Sequence, residues 1–346
     1  MAANFGESSF GNTGAELMKS LIVKTLVLLL VAVLATYYWL DRQVQQPINL
    51  LTPTLFEVRD GEYAHSVLNH LSEAGIIEQS LPFKILLKFK PALAELKTGI
   101  YEIEPGLNGE DVLRLLSSGK EKQFSISLVE GLRWNEWQGQ LKSHPRLTHS
   151  PLFDERVQDI QGSAQGLSLE GWLLPETYYF THGTQTSQIV QRAYAAMHAY
   201  LVQAWENRAP DLPYDNAYEA LIMASIIEKE TGVANERPRI SGVFVNRLRQ
   251  NMRLQTDPTV IYGMGDSFDG NIRRKDLRTP TAYNTYVIKG LPPTPIAMPS
   301  KLAIDAAMHP LETDELYFVA MGNGRHKFSH TLQEHNLAVR EYQLKR

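Results

Sequence analysis

Cysteine is absent from the 346-residue chain, which excludes disulfides, thiolate zinc sites and a cysteine nucleophile. The absence fits an oxidising compartment. A dominant charge of one sign is missing too. The 34 Lys and Arg stand against 38 Asp and Glu, a formal net charge of −4, so no global basicity points to nucleic acid. The short cluster Arg273-Arg274-Lys275 reads as a solvated loop. No Walker A, G-x-S-x-G or H-E-x-x-H string occurs. P-loop chemistry, the serine-hydrolase elbow and that class of zinc protease therefore lack support. His326, His330 and His335 lie near Glu334, but their spacing matches no common zinc pattern. Hairpin or surface roles are assigned to them, and no metal site is expected.

What is present begins with one long apolar run. Leu21 to Leu40 reads LIVKTLVLLLVAVLATYYWL, about the 20 residues that cross a bilayer as a helix. Lys24 lies near one end, where its stem can snorkel, and Tyr37-Tyr38-Trp39 stands where an interfacial belt forms. Lys19 and Lys24 against Asp41 and Arg42 give a weak positive-inside bias. Residues 1–20 are thus expected as a cytoplasmic tail, 21–40 as a single-pass inner-membrane anchor, and the body as periplasmic or extracytoplasmic. A cleaved signal peptide, with Val33-Leu34-Ala35 before the cut, is the alternative. Residues 41–53, polar and punctuated by proline, read as a tether.

The remainder reads as α+β. LFEVR, GIYEI and FSISLV are strand-like, and each is followed by a glycine: Gly61, Gly106 and Gly131. Six places after each glycine come Val67, Val112 and Trp137, and ten places after come Leu71, Leu116 and Leu141. Strand, Gly turn and amphipathic helix repeat three times. The unequal spacing argues against a solenoid. Such units resemble LysM-like carbohydrate-binding modules, and 54–125 is expected as a small LysM-like subdomain. The larger α+β domain is expected over 126–346. It contains a polar loop at Gln161–Gln165, helices over about Ser187–Trp205 and Tyr218–Thr231, and a helix from Glu236 to Gln250 behind Asn235 as N-cap. A hairpin is expected over Tyr317–Ser329.

The stretch ASIIEKETG, Ala224 to Gly232, places two glutamates at the end of an apolar helix. Positions two apart point about 200° from each other on a helix, so the two cannot share one cleft. Glu228 shares a stripe with Leu221, Ala224 and Ser225. Glu230 shares one with Met223, Ile226 and Ile227. The small stripe leaves room over Glu228, where burial would favour a protonated acid. Glu230 is assigned to structure. The plain alternative has both glutamates solvating a frayed helix end.

The motifs SIIEKETG, VFVNRLRQNMRLQTDPTVIYG, TPTAYNTY, GLPPTPI and FSHTLQEHN occur in this order, after EGWLLPETYYF. Together they resemble the endolytic murein transglycosylase family, the MltG or YceG-like proteins, over roughly residues 45–345. Thr294 and Met298 depart from the residues more often found there. The resemblance implies endolytic, non-hydrolytic cleavage of nascent peptidoglycan strands between N-acetylmuramic acid and N-acetylglucosamine, leaving 1,6-anhydro ends and limiting strand elongation. It implies Glu228 as the catalytic acid and base, with no metal or organic cofactor. Gln255, Asp257, Tyr283 and Asn284 are the expected substrate-binding residues, with core packing as the alternative for Tyr283 and capping of the turn before Pro258 as the alternative for Asp257. Peptidoglycan synthases are expected as partners, and nucleic acid is not. A wall-binding scaffold that recruits synthases without cutting, and a muramidase that admits water, are the competing readings.

Overall fold

The computed structural model describes residues 11–149 and 168–344. The polar loop expected at Gln161–Gln165 lies outside the described residues. The chain divides into two compact units, Met1–Gln123 and Phe124–Arg346.

The first unit opens with helix α1, Gly11–Gln45. Its apolar stretch has a mean hydropathy of 2.3, and none of it is buried in protein. The helix does not stop at Leu40. It continues to Gln45, into the first part of the segment expected to be a tether, and Val44 enters the core of the unit. Ile48 is buried next to it, its N–H donating to Leu107 O at 2.8 Å. Val44 on the last turn of α1 and Ile48 just beyond it are both apolar, so a core within reach draws them in, and 44–48 is docked while 51–53 stay exposed.

Strands β1 (Thr54–Val58) and β2 (Gly99–Ile103) pair antiparallel with Phe56 opposite Tyr101. Each leads through a left-handed glycine, Gly61 at φ 74° or Gly106 at φ 88°, into a helix. A side chain would be strained at either. The helices that follow are α2 (Ala64–Glu73) and α4 (Gly109–Ser118), with α3 (Leu81–Phe89) between them in the chain. Val67, Leu71, Val112 and Leu116 are completely buried, as their spacing after the glycines requires. Asn108 caps α4 reciprocally with Asp111, accepting from its N–H at 2.9 Å.

The third repeat, strand β3 (Phe124–Leu128) and helix α5 (Trp134–Ser143), belongs to the second unit. Its strand pairs antiparallel with β4 (Glu176–Phe180), so the three repeats do not form one cluster. The helices α6 (Thr186–Glu206), α7 (Ala217–Glu230), α8 (Arg237–Arg249), α9 (Asp257–Met264) and α10 (Lys301–Met308) follow. The hairpin β5 (Tyr317–Ala320) and β6 (His326–Ser329) precedes α11 (Leu332–Tyr342). Helix α7 is apolar on every side, and every residue from Ala220 to Glu228 is buried, which makes it the central helix of the unit. The N-cap expected at Asn235 lies instead in a single 3-10 turn, Ala234–Glu236. Pro238, in the first turn of α8, has no N–H to satisfy and fixes the helix start at Arg237.

Gly242 lets α8 approach the chain after α10. A Cβ there would stand 2.3 Å from Leu311 O and 2.9 Å from Thr313 Cγ2. Gly242→Ala is expected to cost about 1–3 kcal/mol through overpacking. A thermal melt should record a midpoint several degrees lower, and an unchanged midpoint would contradict the close approach.

Candidate active site

Helix α7 starts at Asn216, whose Oδ1 accepts from Glu219 N–H at 3.1 Å. It ends where Thr231 turns extended at φ −145°. The helix stays regular to that point, so Glu228 and Glu230 leave opposite sides of its last turn.

Glu228 turns inward. Its carboxylate meets Arg237 Nη2 at 3.0 Å, with side-chain exposures of only 4% and 7% for the glutamate and the arginine. The other oxygen accepts from Ser300 N–H at 2.9 Å and from the Ser300 hydroxyl. Both oxygens are engaged, and Glu228 does not line the cavity described next. The small stripe that suggested room for a ligand is filled by protein, because Ser225 Oγ accepts from Ile296 N–H at 3.0 Å.

Glu230 turns the other way, into an open cavity of about 480 Å³. Thr256 donates its hydroxyl to the carboxyl. Burial pushes the Glu230 pKa up to about 7, opposed by the Thr256 hydrogen bond. The neighbouring Asp257 raises it further, while His326 and Arg247 act in the opposite sense. At that value both protonation states are populated near neutral pH, as a group that donates and then accepts a proton requires.

Three segments build the walls. The chain after α8 bends through Asn251 and Gln255, at φ 53° and 54°, a conformation L-residues seldom adopt. The loop is locked by Gln255 N–H on Thr285 O at 3.2 Å and Thr256 N–H on Thr285 Oγ1 at 3.1 Å. Arg247, almost fully buried, joins this loop to the hairpin. It donates to Leu254 O at 2.9 Å, to Gln255 Oε1 at 3.2 Å and to Leu316 O at 2.6 Å. From β6, His326 contributes an imidazole whose Nδ1 lies 2.9 Å from Glu236 Oε2. Tyr286, Tyr317 and Phe318 supply aromatic lining, surfaces suited to the apolar faces of a ring-shaped ligand.

Of the residues expected to bind substrate, Gln255 and Asp257 stand in this cavity beside Glu230. Asp257 accepts from Tyr286 OH at 2.7 Å. Tyr283 and Asn284 do not line it. The Asn284 amide is used within its own loop, donating to Asp276 O at 3.0 Å and Thr279 O at 2.7 Å. Tyr283 pairs with Thr294 at 2.9 Å and packs on the Tyr262 ring at 4.9 Å. Tyr262 in turn donates to the buried Glu170 at 3.2 Å. That carboxyl is also pushed up to about 7, mainly by burial, but it lies outside the cavity. Sequence reasoning missed Arg247, Tyr286 and the cavity role of His326. The histidines clustered near the hairpin are a signal in the sequence, and His326 stands in strand β6 of that hairpin, as expected.

A model of the YceG-like family matches residues 56–341. A Bacillus subtilis (strain 168) protein named endolytic murein transglycosylase is 29% identical over 310 residues, covering 84% of this chain and 85% of its own length. A Streptococcus pneumoniae (serotype 2, strain D39) protein of the same name is 26% identical over 367 residues. That alignment covers 94% of this chain but 65% of the pneumococcal protein. Among solved structures, a crystal structure of a YceG-like protein from Listeria monocytogenes superposes with a TM-score of 0.53 at 28% identity. The alignment covers 83% of this chain and 99% of that one.

Because Glu230 binds its proton more tightly in the fold than in the unfolded chain, its contribution to stability is complete below pH ~4.5 and lost as pH rises toward ~7. Glu230→Gln, which stays neutral, should therefore melt above the wild type at pH 8, with the gap closing toward pH 4.5. A gap that does not change with pH, followed by thermal melts from pH 4 to 8, would show that Glu230 does not titrate in this way.

Proposed function

The chain belongs to the YceG-like family, and from that premise we propose that it is an endolytic lytic transglycosylase of peptidoglycan. It cleaves the bond between N-acetylmuramic acid and N-acetylglucosamine within a glycan strand. The observation that carries the reading is Glu230, a carboxyl poised near neutrality in an open cavity with aromatic and polar walls. The relatives named as murein transglycosylases supply the substrate class.

One carboxyl is enough for this chemistry. A glycosidase that uses water or a protein nucleophile needs two, one as acid and one as base or nucleophile. Here protonated Glu230 donates to the glycosidic oxygen as the bond to the muramic C1 breaks. The muramic C6 hydroxyl then attacks C1 and closes the 1,6-anhydro ring. Its proton returns to the Glu230 carboxylate, so no water is consumed and the acid is regenerated. Gln255 and Asp257 hold sugar hydroxyls or N-acetyl groups beside it. Glu228, the residue expected from the family resemblance, is the competing proton donor. Its closed ion pair with Arg237 argues for an architectural role instead.

Helix α1 anchors the chain in the bacterial cytoplasmic membrane, with the body on the outer side. Its length, its apolar composition and the exposure of its apolar window among the described residues support that placement. The strand–glycine–helix repeats of the first unit support a LysM-like role in holding glycan. Cleavage then acts on nascent strands close to the membrane and limits their elongation, beside the synthases that make them.

The test uses full-length protein on purified peptidoglycan, with mass spectrometry of the released fragments. Internal fragments with anhydro ends are expected from the wild type, and Glu230→Gln should lower their yield by about 10²-fold or more. Glu228→Gln leaves Arg237 buried without its partner, which costs stability, so activity is compared on its folded fraction and should persist. Activity lost there and kept in Glu230→Gln would return the role to Glu228. Hydrated ends would establish a muramidase, and binding by folded wild type without cleavage would establish a scaffold.

A further inference from the structure

Helix α3 has two apolar faces, and only one is used by the fold. Pro82, Phe83 and Leu87 are buried in the core of the first unit. Leu81, Ile85 and Phe89, spaced four apart, run along the other side. Leu81 is 57% exposed and Phe89 80% exposed. An exposed phenylalanine alone is unremarkable on a protein surface, but a continuous edge on a short helix needs a partner.

The place of α3 against α1 identifies that partner. A groove of about 160 Å³ lies between them, walled by Tyr37, Leu40 and Val44 on α1 and by Pro82, Ile85 and Phe89 on α3. Positions 37, 40 and 44 fall on one face of α1. The 20 residues from Leu21 to Leu40 rise about 30 Å at ~1.5 Å each, which matches a hydrocarbon core of about 30 Å. Asp41 to Val44 add roughly 6 Å, the depth of one headgroup layer in a bilayer about 40–45 Å thick overall. With Leu21–Leu40 as the span, the groove, walled from Tyr37 to Val44, straddles the boundary between acyl chains and headgroups, beside the Tyr37-Tyr38-Trp39 belt. Lys88, exposed on the same helix, has no hydrogen-bond or ion-pair partner among the described residues. Lys90, at the groove edge, is held by Glu110 at 2.7 Å.

We propose that α3 is a second membrane-contacting element: its Leu81–Ile85–Phe89 edge rests in the headgroup layer at the C-terminal end of the span, and the groove it makes with α1 takes the upper acyl chain of a phospholipid. The apolar edge is covered by lipid, and Lys88 meets phosphate, the division of labour of an interfacial helix. This footing rests on the reading of α1 as a membrane span, and it does not depend on the glycan chemistry.

The chain has no cysteine, so a single introduced one reports on a single place. Phe89→Cys carries an environment-sensitive nitrobenzoxadiazole label in full-length protein reconstituted into phosphatidylglycerol–phosphatidylethanolamine vesicles. Ser118→Cys, exposed at the far end of α4, serves as the water reference. The start of that helix is tied to Gln45 through Asn108 at 3.1 Å. The label at 89 should emit to the blue of the label at 118, be shielded from iodide, and be quenched by lipid spin-labelled high on the acyl chain. Emission at the aqueous position, with iodide quenching equal to that at 118, overturns the footing. Flotation of the vesicles separates the two readings. A chain that does not float removes span and footing together, whereas a chain that floats with position 89 in water removes only the footing.

Discussion

The buried carboxylate of Glu228 joins three helices. Its partner Arg237 opens α8, and Ser300, which donates to it twice, caps α10. Removing one partner of such a pair typically costs about 3–5 kcal/mol, because the other charge is left buried and alone. The constraint is also directional. Two residues along a helix turn the side chain through about 200°, so holding Glu228 against α8 and α10 aims Glu230 away from them and into the cavity. One glutamate sets the direction of the other.

The surroundings of Glu230 complete the division between the two acids. Glu228 meets a guanidinium and two donors from Ser300. Glu230 meets the Thr256 hydroxyl, an acidic neighbour in Asp257 and a wall that excludes much of the solvent. The first set of contacts closes a carboxylate into the packing of three helices, and the second leaves a carboxyl facing a cavity. Arg247 maintains the second environment at a distance. By spending its donors on Leu254 O, Gln255 Oε1 and Leu316 O, it ties the bent loop to the hairpin without neutralising Glu230 by direct contact.

Local patterns are legible in the sequence alone. The strand–glycine–helix repeat marks elements correctly, since a left-handed glycine and fixed apolar spacings are local requirements. The strongly apolar run before EKE marks α7 as central for the same reason. The choice between the glutamates was not legible locally. Ser225 and its small neighbours looked like space for a ligand, and only the chain near Ile296 and Ser300, some seventy residues onward, fills that space. The setting of Asn284 is equally non-local, because the carbonyls that occupy its amide appear only once the loop closes. The pairing of β3 with β4 depends on a strand that follows a long intervening segment. The docking of Val44 and Ile48 likewise depends on a core assembled from residues far along the chain.

The unbroken passage of α1 into that core changes how the apolar helix and the rest of the unit are coupled mechanically. A flexible leash would let the rest of the unit tumble while limiting only its distance from the apolar helix. A helix that runs from the apolar stretch to Gln45, with Val44 clasped by the fold, is a shaft, and rotation of the apolar stretch is transmitted to the unit. One residue added between Leu40 and Val44 would turn the unit by about 100° and lift it about 1.5 Å. The number of residues at this junction therefore sets a compass heading, and with it which side of the unit lines up with a given face of the apolar helix.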